Sequence, residues 1–202
     1  MVDLLRLPLC TVAYHDRTKG FRTVAKGIKG ANGITAEKPG NRIIVSAIMA
    51  GVSSLTATTN NLQEMLVYER SEGGNLTMTQ VVELDFLPDN PSISILYPTN
   101  VAISPNGDLI VTGVPNVMTA IDHNPDLLVH SKVVRIPMAQ LGDKFFGRGS
   151  GQTAKPVIEP IVMDVTGKLN ASTTTVEVSF NGGTYLYSTS WRAMGLSRCK
   201  LS

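Results

Sequence analysis

Short runs in which β-branched or aromatic residues alternate with polar ones recur along this chain, and nearly every run is closed by Gly, Pro, Asn or Asp. A period of two places alternate side chains on one face of an extended strand, and the closing residues supply the turn chemistry that reverses the backbone. The pattern predicts strands at 11–14, 21–25, 42–48, 65–69, 76–84, 109–113, 132–136, 158–165, 175–180 and 184–189. The class is therefore all-β. A sandwich or barrel fits the length, but repeated hairpins separated by longer loops suit a β-propeller, whose blades are four-stranded sheets of about 40 to 50 residues. The best helical candidate, Ser54 to Gln63, is Thr-rich and a weak helix former, so it reads as a loop insertion. Gly147 to Thr153 is the most flexible-looking stretch and does not resemble a domain linker, leaving one domain over residues 1–202.

Composition narrows the classes further. With 202 residues, 43% hydrophobic, 17% charged and a net charge of +2, the chain can bury a core. Its Lys and Arg are scattered and only 5% of residues are aromatic, so the basic stripe and stacking platform of a nucleic-acid binder are missing. No apolar run reaches the roughly 18 residues that span a bilayer, and no transmembrane segment is expected. Met1 to Leu9 is interrupted by Asp3 and Arg6 and lacks a basic leading region, so it does not read as a signal peptide. The sequons Asn75-Leu76-Thr77 and Asn170-Ala171-Ser172 permit N-glycosylation and tilt toward a secretory or extracellular location. Cys10 and Cys199 could pair or remain two buried thiols, and their spacing does not choose.

Most candidate chemistry fails on its own geometry. Gly147 to Gly151 followed by Lys155 suggests a phosphate cradle, but the Walker spacing is absent and no helix pattern follows the glycines. His123 lies among turn residues, while His15 and His130 sit at strand ends. No Gly-x-Ser-x-Gly elbow or His-Glu-x-x-His motif gives them a role, and the cysteines have no zinc-ligand neighbours. Three oxygen-rich turns remain: Gly30 to Ile34, Leu87 to Asn90 and Ser104 to Asp108. The third reads as a hairpin. In the other two, Asn32 of an Asn-Gly turn and the Asp89-Asn90 pair offer amide carbonyls and a carboxylate, the hard oxygen donors that calcium prefers.

Six stretches in order resemble the serum paraoxonase and arylesterase family: Val24 to Ile34, Leu66 to Arg70, Leu84 to Asn90, Gly107 to Val111, Ser131 to Ile136 and Leu196 to Leu201. The resemblance implies a six-bladed propeller with two calcium ions in its tunnel that hydrolyses lactones and aryl esters. It covers the C-terminal half of such a ring. By position Asn32 corresponds to one ligand of the catalytic calcium, and Asp89 and Asn90 to two more. The family's other ligands and its histidine dyad belong to the N-terminal half, and Val114 stands where a tunnel histidine of the family would precede Pro115-Asn116. Cys199 falls at one end of the family's ring-closing disulfide, and Cys10 is not at the partner position. The expectation is thus about half of a six-bladed ring, an impaired calcium-dependent hydrolase acting on a small lactone or ester, and self-association through open blade edges. A noncatalytic propeller fragment or binding module and a strictosidine synthase-like enzyme are the alternatives.

Overall fold

The computed structural model of the chain describes residues 9–37, 41–47, 63–84, 101–103, 107–115, 126–141, 155–166, 168–169, 172–190 and 196–201. Within them run thirteen strands: β1 (Cys10–Asp16), β2 (Gly20–Ile28), β3 (Ala31–Ala36), β4 (Arg42–Ala47), β5 (Gln63–Arg70), β6 (Leu76–Leu84), β7 (Val101–Ile103), β8 (Leu109–Gly113), β9 (Ser131–Ile136), β10 (Glu159–Asp164), β11 (Ser172–Phe180), β12 (Gly183–Ser190) and β13 (Leu196–Leu201). A short 3-10 turn occupies Met138–Gln140. All ten predicted strands are present. Strands β3, β7 and β13 were not among them.

The strands form four antiparallel sheets, β1-β2, β3-β4-β5-β6, β7-β8-β9-β10 and β11-β12-β13. Every hydrogen-bonded neighbour is also the next strand in sequence, so the described strands contain no Greek-key crossover. Local turns account for this order. Asn181 and Gly182 have φ of 48° and 72°, the left-handed pair that a two-residue hairpin needs, and Phe180 pairs directly with Gly183 across it. In the β1–β2 turn, Asp16 Oδ1 accepts from the Thr18 hydroxyl at 2.5 Å, the Thr18 N–H at 2.8 Å and the Lys19 N–H at 3.1 Å. Those bonds, the Thr18 hydroxyl foremost, hold the Asp16 carboxyl below its ordinary range.

The sheets stack face to face in chain order. On one face of the second sheet Val45, Ala47, Leu66 and Tyr68 pack with Cys10, Val12, Ala25 and Ile28 of the first hairpin. On its other face Ile44, Met65, Val67, Val82 and Leu84 meet Leu109, Val111, Val134 and Ile136 of the third sheet. Each fully buried side chain of this kind contributes about 1.5–3 kcal/mol, so this apolar layer is the main core. Arg42 ties its edge: the guanidinium donates to Glu37 through Nε at 2.5 Å and through a second nitrogen at 2.8 Å, and reaches the carbonyls of Met138 and Leu141 after β9.

The third and fourth sheets meet differently. Thr112, Ser131, Thr175, Glu177 and Ser188 are buried, while Val176, Val178 and Phe180 of β11 stay 37–40% exposed on the outward face. Arg135 of β9 bridges the gap to Glu177 of β11 at 2.6 Å. Across both boundaries the first strands of the larger sheets come together, with β7 lying against β3 on one side and β11 on the other.

Candidate functional site

Asn32 is not in a turn. The Asn-Gly pair predicts a turn, but β3 runs straight through it. Pairing with β4 passes from Ala31 opposite Ala47 to Ile34 opposite Val45, which leaves Asn32 and Gly33 together opposite Ser46. Two residues facing one is a β-bulge, and a bulge turns a side chain away from the regular alternation. Burial along β3 nonetheless alternates without a break, with Gly33 buried between the exposed Asn32 and Ile34. Low strand propensity at both positions made the pair look like chain reversal, and here it marks the defect in the ladder instead.

The bulge is held by a residue that the sequence reading passed over. Ser46 is fully buried within the apolar run Ile43-Ile44-Val45-Ser46-Ala47. Its hydroxyl accepts the Gly33 N–H at 2.7 Å and donates to the Gly33 carbonyl at 3.4 Å. The signal was a lone hydroxyl in an otherwise apolar strand, since buried polar groups need partners. Asn32 therefore sits at a fixed irregularity on the first strand of its sheet, and that strand lies against β7. An exposed side-chain amide there suits a hard cation as one oxygen donor of several.

Asp89 and Asn90 fall in the connection between β6 and β7, outside the described residues. The same holds for His123, for the Gly147 to Gly151 run and for Asn170. The other histidines are exposed: His15 packs its ring on Phe21 with centroids 4.5 Å apart, and His130 precedes β9. Val114 lies just past β8 and is half-buried. Cys10 and Cys199 are both free, one in the first hairpin and the other in the last sheet. No helix among the described residues is long and apolar enough to cross a membrane.

A second polar cluster links the third and fourth sheets. Glu177 keeps 1% of its side chain exposed, and its hydrogen bond to Arg135 raises the guanidinium pKa above its already high ordinary value. Asp108 adds a more distant carboxylate, 3.8 Å from Arg135 Nε. This cluster holds the two sheets together across their boundary.

No protein-family model matches the chain, and no curated protein matches it. Among solved structures it is similar to a luciferin-regenerating enzyme, at 10% sequence identity over 90% of this chain and 44% of that one, with a TM-score of 0.42. The chain thus spans less than half of that structure's length.

Proposed function

We propose that this chain forms about half of a six-bladed propeller of the paraoxonase and arylesterase type, and that Asn32, Asp89 and Asn90 take part in holding calcium for the hydrolysis of a lactone or aryl ester. The observation that carries the reading is the exposure of Asn32 at a bulge on a first strand lying against β7. Consecutive antiparallel sheets stacked in chain order are the arrangement that propeller blades require. Calcium, when bound, would supply Lewis acidity toward an ester carbonyl and its developing oxyanion. The chain's own part is to present oxygen donors: the Asn32 amide, fixed through Gly33 and Ser46, and the Asp89 carboxylate with the Asn90 amide from the β6–β7 connection.

One carboxylate and two amides fall short of the 6–8 oxygens that calcium takes, so affinity belongs near the millimolar end of natural sites. Turnover by this chain alone should be small, because the resemblance puts the remaining ligands and the histidine dyad outside it. Calcium titration followed by calorimetry tests the site: weak binding that Asn32→Ala and Asp89→Ala each abolish supports it, and binding indifferent to both removes it. Phenyl acetate or a γ-lactone, with and without chelator, tests the activity.

A noncatalytic binding or structural fragment is the second reading, favoured by Val114 in place of a tunnel histidine. In either reading the outward face of the last sheet, with Val176, Val178 and Phe180 exposed beside Tyr185, favours self-association through a face in addition to open edges. Sedimentation of the Val178→Lys variant against the parent checks this, with a smaller associated fraction expected.

A further inference from the structure

The apolar layer between the second and third sheets changes character at one end. Alternation along β9 puts Ile136, Val134 and Lys132 on one face, the face that meets the second sheet. The first two are fully buried and Lys132, near the start of the strand, is half-buried. Beside it a cavity of about 380 Å³ opens between the two sheets. Leu84 at the end of β6, Val134, Ile158 and Pro160 of β10 form its apolar lining, and Glu83, Lys132 and Lys155 supply the charges.

The walls and the charges select a ligand together. Leu84 and Val134 belong to the buried core and Ile158 packs against it, so these walls reward hydrocarbon. Lys155 Nζ lies 3.4 Å from Glu83 Oε2 in a pair that both side chains share with water. The Lys132 ammonium adds a second positive charge, so the lining carries two cations and one carboxylate. Mostly apolar walls with a few convergent polar groups, at this volume, are the form that small-ligand sites take. A neutral apolar molecule would leave the Lys132 charge without gain, and a multiply charged anion would lose its hydration against Leu84 and Val134.

We infer that this cavity binds a small monocarboxylate with a hydrocarbon tail, its carboxylate accepting from Lys132 and its tail lying on Leu84, Val134 and Ile158. Ammonium donors to a carboxylate make charge-assisted hydrogen bonds, stronger than neutral ones. The site lies between β6 and β10, the last strands of their sheets, whereas Asn32 is on β3 at the opposite edge of the second sheet. The inference does not rest on the calcium reading.

Calorimetric titration of the full chain with sodium octanoate tests it, with octan-1-ol and sodium acetate as probes of the tail and the charge alone. Octanoate should saturate a single site, and each control should bind at least about tenfold more weakly, the scale of one charge-assisted hydrogen bond or a few buried methylenes. Lys132→Met should weaken octanoate binding about tenfold while Lys132→Arg keeps it. Glu83→Gln should strengthen it about two- to threefold, because a competing carboxylate is removed. Should Lys132→Met fail to fold, Lys155→Met at an exposed position should still lower the affinity. No saturable octanoate binding, octanol bound as tightly as octanoate, or octanoate binding indifferent to these substitutions overturns the proposal, whatever calcium binding or hydrolysis shows.

Discussion

Arg135 on β9 donates to Glu177 on β11 at 2.6 Å across the boundary between two sheets. Glu177 keeps 1% of its side chain exposed and Arg135 keeps 26%. The remaining oxygen of Glu177 and Arg135 Nε are buried without a hydrogen-bond partner among the described residues. Removing one partner strands the other charge in a low-dielectric layer, which costs more than the pair contributes. Glu177→Ala should destabilise the protein by about 2–4 kcal/mol, below the figure for fully buried pairs because Arg135 remains partly in water. Arg135→Met combined with Glu177→Met should recover most of that loss. Denaturant unfolding of the double-mutant cycle measures both.

Ser46→Ala removes the only side chain that meets the Gly33 N–H among the described bonds. A buried donor left unpaired costs about 1–3 kcal/mol, and the bulge loses the support that fixes Asn32. Thermal unfolding should show the loss. In calcium titration Ser46→Ala should weaken binding while Asn32→Ala removes it, whereas equal effects from the two would place Asn32 in a structural role.

Gly74 and Gly20 make a matched pair. Both have a left-handed φ, 76° and 75°, but a Cβ at Gly74 would stand 2.7 Å from an Arg22 terminal nitrogen and 3.1 Å from a Tyr14 ring carbon, while one at Gly20 meets nothing within 4 Å. Gly20→Ala should therefore cost about 1–2 kcal/mol from backbone conformation alone. Gly74→Ala should cost more, about 2–3 kcal/mol, because it also displaces the Arg22 side chain. Urea midpoints of the two variants give the comparison.

Burial in the layer between the first two sheets pushes the Tyr68 phenol above its ordinary value near 10. A pKa raised by folding gives stability that is fully present below the unfolded value and is lost as pH rises through the folded one. Stability should then hold up to pH about 10 and fall above it. Tyr68→Phe should flatten that alkaline decline, and ultraviolet titration of the variant should show one tyrosine ionisation fewer at high pH than the parent.

Alternation alone located ten strands, because a side chain's face in a strand depends only on its parity and the ends are set by turn residues next to it. The two-residue Asn181-Gly182 hairpin and the meander order of each sheet are equally local consequences. Parity does not say which face is inside. In β11 the apolar set Val176, Val178 and Phe180 would be expected to face the core, yet Thr175 and Glu177 are buried, because Ser188 of β12 accepts from the Thr175 hydroxyl and Arg135 of the neighbouring sheet pairs with Glu177, partners that no reading of β11 alone contains. The candidate site divides in the same way. Asn32 was legible as an oxygen donor from its residue type, but Asn-Gly reads as a turn unless Ser46, thirteen positions away, is known to oppose it. Strand β7, only three residues long, is too short for a period to show, and β13 became a strand through pairing with β12. Sequence thus determined what is decided by neighbours along the chain, and tertiary structure decided what depends on a partner from another strand or sheet: the bulge, the polar layer and the exposed face.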